Sequence, residues 1–297
     1  MVKLFQQKRG ELFLAMINTE YKDRVFKFLF GNPENRQWTL NLYNAINNSD
    51  YNNPDDIQFN TIEDAVYLGM KNDVSFIIMS ELNLWEHQSS YNPNMPMRFF
   101  IYSAKLYEKY IASSDYYPYS STLQYAPRPR CICFYNGTAE QPEKKILKLT
   151  EVFGGEADIE VCVTMLNINY GKNKKLMEAC KPLEEYSWLV DAIRKHQKNL
   201  KNLEQAVEMA IAEMPDDFLI KKFLLSNKAE VKGMFLTEWN QEKVLEQERR
   251  DTEYQTNKRV ARDMLKKNYP LEAIKDISKL SESVIRNLAK TMGVTII

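Results

Sequence analysis

Two runs with strand-like alternation, residues 73–78 and 81–88, are separated only by Met79 and Ser80. A gap that short dictates an antiparallel hairpin, because parallel strands need a crossover of a dozen or more residues. Closing the turn on Met79-Ser80 puts Ile78 opposite Glu81, and stepping outward along the ladder puts Asp73 opposite Glu86. Side chains alternate with a period of two, so Asp73 and Glu86 share one face and Gln88 projects from it too. Val74, Phe76, Ile78 and Trp85 form the buried set of this hairpin. A two-residue turn prefers Gly or Asn, which this one lacks, so a longer loop with shifted pairing is the competing arrangement.

Directly opposed carboxylates repel. One reading makes this a solvated polar face, and the other places a divalent cation between Asp73 and Glu86. Past Gln88, Asn92 and Pro93 break the strand, and 97–111 shows helical periodicity. Arg98, Tyr102 and Lys105, spaced by four and three, lie on one face of that helix. They either point at the carboxylates or form a solvated stripe.

The rest of the chain reads as helices around a small sheet. LFQQKRGELFLAMI, YKDRVFKFLFG and a segment from Asn35 to Ala45 carry helical spacing, and IQFNTI reads as a first short strand. AVYLGM either extends that strand or leads into the next. CICFYN (131–136) and IEVCVTMLNI (159–168) read as two more strands, with a charged Glu- and Lys-rich stretch between them. From Asn173 onward the pattern is almost wholly helical, punctuated by Pro182, Pro215 and Pro270. The polar run from about 241 to 267 sustains no heptad and reads as a connector helix. The tail pairs two short amphipathic helices in a helix-turn-helix-like arrangement, with Ser281 placed as an N-cap and Glu282, Ser283 and Arg286 near the start of the second.

Composition narrows the function. With 44% hydrophobic and 12% aromatic residues in 297, the chain can bury a substantial core. No apolar run reaches membrane-span length, and charges interrupt the N-terminal segment, so a cytoplasmic protein without membrane association is expected. Cys131, Cys133, Cys162 and Cys180 are too few and too scattered for a disulfide framework, and with only His87 and His196 available a structural zinc site lacks ligands. The 40 acidic and 40 basic side chains balance, which argues against a general polyanion-binding surface but not against local basic groups such as Lys144-Lys145, Lys172, Lys221-Lys222 and Arg249-Arg250. Only 9 glycines, with no phosphate-cradling loop or nucleophile elbow, leave nucleotide transfer and serine hydrolysis without their geometry.

The string EHQSSYNPNMPMR, preceded by Asp73 and followed by an amphipathic helix, resembles the PD-(D/E)xK nuclease superfamily. Within that superfamily it is similar to the recombination-promoting nuclease and putative transposase family of bacteria. The resemblance takes in DRVFKFLFGNPENRQWTLNLYNA, FYNGTAEQP and TMLNINYG and spans roughly 20–235. It implies an α/β (α+β) fold with a restriction-endonuclease-like core, a mixed sheet flanked by helices, and a mostly helical C-terminal region. The expected division is a nuclease-like core over 1–170, a helical extension over 171–239, and a connector helix with its tail over 240–297.

The resemblance further implies a metal-dependent DNA endonuclease. Asp73, Glu86 and Gln88 would be catalytic, Asp73 and Glu86 would ligate Mg²⁺ or Mn²⁺, and Gln88 would take the place of the superfamily's lysine. Arg98, Tyr102 and Lys105 would contact DNA phosphate. A neutral amide can position water but cannot act as its base. Double-strand cutting from one site per chain would call for a homodimer. A nuclease scaffold without turnover, serving as a nucleic-acid-binding or assembly protein, is the alternative.

Overall fold

The computed structural model describes residues 24–60, 73–200 and 203–294, with side chains described outside 235–249. The hairpin adopts the register set by its two-residue turn. Strands β2 (Val74–Ile78) and β3 (Glu81–Gln88) pair antiparallel, Ile78 facing Glu81 and Val74 facing Trp85. Without a glycine, the turn is made by Met79 in the left-handed region at φ 52°. β1 (Gln58–Phe59) adds to the outer edge of β2, and Asn60 N–H donates to the Ser75 carbonyl.

The remaining strands complete a mixed sheet in the order β1-β2-β3-β4-β6-β5. β4 (Arg128–Tyr135) runs parallel to β3, β6 (Cys162–Asn167) parallel to β4, and β5 (Lys144–Lys148) antiparallel to β6 at the edge. β5 forms within the stretch read as a charged connection. Its lysines mask the alternation that buries Leu147, and lysines are what an edge strand tolerates.

Helices cover both faces, so all eight residues of β3 are buried. On one face α1 (Arg24–Phe30) and α2 (Arg36–Asn47) contribute Phe26, Leu29, Leu40 and Tyr43 to a core with Phe76, Trp85 and Phe134. This core also includes α5 (Lys174–Ala179), α6 (Lys181–Asn199), α7 (Leu203–Glu213) and α8 (Leu219–Ser226). The other face is covered by α3 (Met95–Ser113), whose Met95, Phe99, Tyr102 and Leu106 recur at helical spacing and pack on Leu82, Leu84, Cys133 and Met165. Each such side chain, fully buried, contributes roughly 1.5–3 kcal/mol. The short α4 (Leu149–Phe153) connects β5 towards β6.

The chain divides into two compact units, Met1–Gln241 and Glu242–Ile297. α9 spans Lys228–Lys266, starting earlier than the polar run alone suggests. In the second unit the end of α9, α10 (Leu271–Ser278) and α11 (Glu282–Met292) share a core of Ala261, Leu265, Ile274, Leu280, Ile285 and Leu288. Ser281 is the N-cap residue of α11, but its hydroxyl lies against Ser283 rather than capping the helix. The helix expected in LFQQKRGELFLAMI and the continuation through AVYLGM lie outside the described residues. Among the described residues no helix is long and apolar enough to cross a membrane.

Candidate functional site

The parallel arrangement of β3, β4 and β6 brings their carboxyl ends to one edge of the sheet, where Gln88, Tyr135 and Asn167 lie side by side. Asp73 precedes β2 by one residue, and its Oδ2 accepts the backbone N–H of His87 at 2.8 Å. That bond anchors the acid at the open end of the hairpin, next to Glu86. Strand periodicity aligns Asp73, Glu86 and Gln88 on the face covered by α3.

The structure supplies a cation for this carboxylate pair from within the chain. Arg98, near the start of α3, donates from Nη2 to Glu86 Oε2 at 2.9 Å; the Glu86 side chain is fully buried and that of Arg98 is 26% exposed. Arg98 also donates from Nε and Nη2 to the Tyr102 hydroxyl at 3.1 and 2.8 Å. Burial opposes the guanidinium charge, but Glu86, Tyr102 and Asp73 together outweigh it and hold Arg98 firmly protonated. Burial first, and then the nearby Glu86 carboxylate, push the Tyr102 hydroxyl well above the ordinary phenol range, so it remains an O–H donor. The repulsion that a metal ion would relieve is thus already offset by a side chain.

Gln88 differs from its neighbours. Only 5% exposed, its carboxamide makes no hydrogen bond with any described residue, although its backbone carbonyl accepts from Asn136 N–H at 2.9 Å. Its amide atoms are not among the buried polar atoms left without a partner, so they keep contact with solvent at the edge of the sheet. The α3 residues separate along the helix axis. Arg98 and Tyr102 meet at the carboxylates, whereas Lys105 stands two turns beyond Arg98, about 10 Å further along.

Both carboxylates offer hard oxygen donors of the kind magnesium takes, and magnesium needs only one or two protein carboxylates because it keeps several waters. Asp73 and Glu86 fit such an ion in chemistry, with Arg98 competing for Glu86. Among the described residues there is no group of three or more His, Cys, Asp or Glu side chains that could hold a metal.

A second buried glutamate on the same strand escapes sequence reading. Glu81 Oε1 accepts from Arg128 and Arg130, and its Oε2 accepts from the Tyr43 hydroxyl at 2.9 Å. Burial alone would raise its pKa, but the bonds from Arg130 and Tyr43 and the two guanidinium charges bring it below the usual carboxylate range. Five residues apart on a strand, Glu81 and Glu86 face opposite ways. Lys145, one of the basic residues singled out from the sequence, donates to the Tyr91 hydroxyl and lies 4.7 Å from its ring centroid. Lys172 and Lys221 pair with Glu140 and Asp216, and in the tail Arg286 pairs with Glu282.

Comparison with protein-family models, with curated proteins and with solved structures gives no match to this chain.

Proposed function

We propose that the protein is a metal-dependent DNA endonuclease of the PD-(D/E)xK type, with its centre at the open end of the β2–β3 hairpin. The observation that carries this reading is Gln88. Its carboxamide, bonded to no described residue and in contact with solvent, stands two residues from Glu86 on the strand face shared with Asp73.

Asp73 and Glu86 would hold Mg²⁺ or Mn²⁺. When bound, the ion supplies Lewis acidity towards a phosphate oxygen and towards water. Gln88 orients the attacking water by donating and accepting hydrogen bonds. With no base in its side chain, the proton passes to a substrate phosphate oxygen or to a second water. Arg98, released from Glu86, would contact the phosphate, with Tyr102 holding the guanidinium plane and Lys105 serving a phosphate further along α3.

The Arg98–Glu86 pair favours a second reading, in which the guanidinium permanently replaces the metal and the fold serves as a nucleic-acid-binding or assembly scaffold. Incubating supercoiled plasmid with Mg²⁺, Mn²⁺, Ca²⁺ or EDTA, beside Asp73→Asn and Gln88→Ala, separates the two. The nuclease reading expects metal-dependent nicking that is lost in Asp73→Asn and strongly slowed in Gln88→Ala. It falls if the folded protein cuts with no metal, or if Asp73→Asn cuts at the wild-type rate.

A further inference from the structure

At the carboxyl edge of the parallel strands, next to Gln88, a guanidinium is held with no counter-ion among the described residues. Arg194, on α6, donates from Nη1 to Asn136 Oδ1 at 2.8 Å and to Asn169 Oδ1 at 3.0 Å. Its Nη2 donates to the Asn136 carbonyl oxygen at 2.6 Å. All three acceptors are neutral, and no carboxylate among the described residues pairs with Arg194. Asn136 also ties this group to the candidate site, because its N–H donates to the Gln88 carbonyl.

Asn136 is poorly explained as a structural anchor. It is 1% exposed, and with its Oδ1 directed at Arg194, its Nδ2 is left buried with no hydrogen-bond partner among the described residues. Aspartate, of the same shape, would give the guanidinium a charge-assisted bond and remove the orphaned donor. The asparagine forgoes both gains and keeps the positive charge of Arg194 unneutralised. Arg194 retains some solvent access, and the edge it occupies is where ligands bind in open α/β sheets.

We propose that Arg194 is an anion-binding residue, held by the neutral carboxamides of Asn136 and Asn169 to contact a backbone phosphate of DNA next to the one at Gln88. The assignment rests on the nuclease reading. It predicts that neutralising Arg194 and removing it have the same effect on DNA binding and opposite effects on stability.

The test measures binding of a labelled duplex by anisotropy in Ca²⁺ across 50–200 mM salt, together with melting temperature, for wild type, Asn136→Asp, Arg194→Gln and Arg194→Lys. Each phosphate contact contributes a slope of about 0.9 to log K against log salt. Asn136→Asp is expected to melt at or above wild type, yet to lose about one contact's worth of slope. Arg194→Gln loses the same slope and melts lower, whereas Arg194→Lys keeps the slope. A folded Asn136→Asp or Arg194→Gln protein with the wild-type slope overturns this proposal while leaving the nuclease reading standing. Wild type with no affinity for DNA overturns both.

Discussion

Replacing Glu86 by alanine tests the electrostatics of the site directly. Considered as half of a repelling carboxylate pair, Glu86 should be removable at no cost to stability, or even with a gain. The Arg98 pair reverses that sign. At 2.9 Å and an effective dielectric constant near 20, the gross attraction is about 6 kcal/mol, much of it offset by the desolvation of a fully buried carboxylate. Breaking a buried pair from one side costs about 3–5 kcal/mol. Arg98 is 26% exposed and keeps its bonds to Tyr102, so Glu86→Ala should cost about 2–3 kcal/mol. Arg98→Met should cost more, about 3–5 kcal/mol, because it leaves the fully buried Glu86 carboxylate beside Asp73 without the guanidinium.

The double variant should be more stable than the sum of the single losses implies, by at least about 1.5 kcal/mol of coupling. Trp38, Trp85 and Trp188 pack within the first unit, so their fluorescence in urea follows its unfolding. Glu86→Ala as stable as wild type, or additive single losses, would refute the pairing argument.

Three further outcomes follow from local geometry. Met79→Gly relieves a left-handed turn position at 59% exposure and should gain about 0.5–1 kcal/mol; a lower urea midpoint would contradict it. Gly137→Ala would bring a methyl within 3 Å of the Ser89 carbonyl oxygen and the Tyr135 hydroxyl, and should cost about 1–3 kcal/mol by the same fluorescence assay. Burial raises the Glu185 carboxyl pKa although it accepts the Ile220 N–H, so its contribution is full at low pH and lost as pH rises through the raised value. Glu185→Gln should therefore gain melting temperature relative to wild type between pH 4 and pH 7, and an unchanged difference would argue against the shift.

The hairpin register was legible because a two-residue gap and a two-residue period leave little freedom: Ile78 does face Glu81, and Asp73, one residue before β2, accepts the His87 N–H. The helices on either side were legible from their spacing, α3 most clearly. β5 was not, because its lysines hide the alternation that buries Leu147. The Arg194 cluster was invisible for a different reason. Its members come from the ends of β4 and β6 and from α6, and bonds between side chains 25 and 58 residues apart leave no periodic trace in the sequence.

The two buried glutamates of β3 show why burial and pairing alone do not mark a functional site. Glu81 is closed off, with one oxygen engaged by Arg128 and Arg130 and the other by Tyr43. Its arginines are substantially exposed, so solvent screens the charge, and the group serves to tie α2 and β4 to the hairpin turn. Glu86 faces the other way, with Asp73 anchored beside it, Arg98 on its Oε2 and, two residues on, the Gln88 amide bonded to no described residue. The asymmetry between the two ends of one strand is the physical ground for proposing chemistry at Glu86 rather than at Glu81.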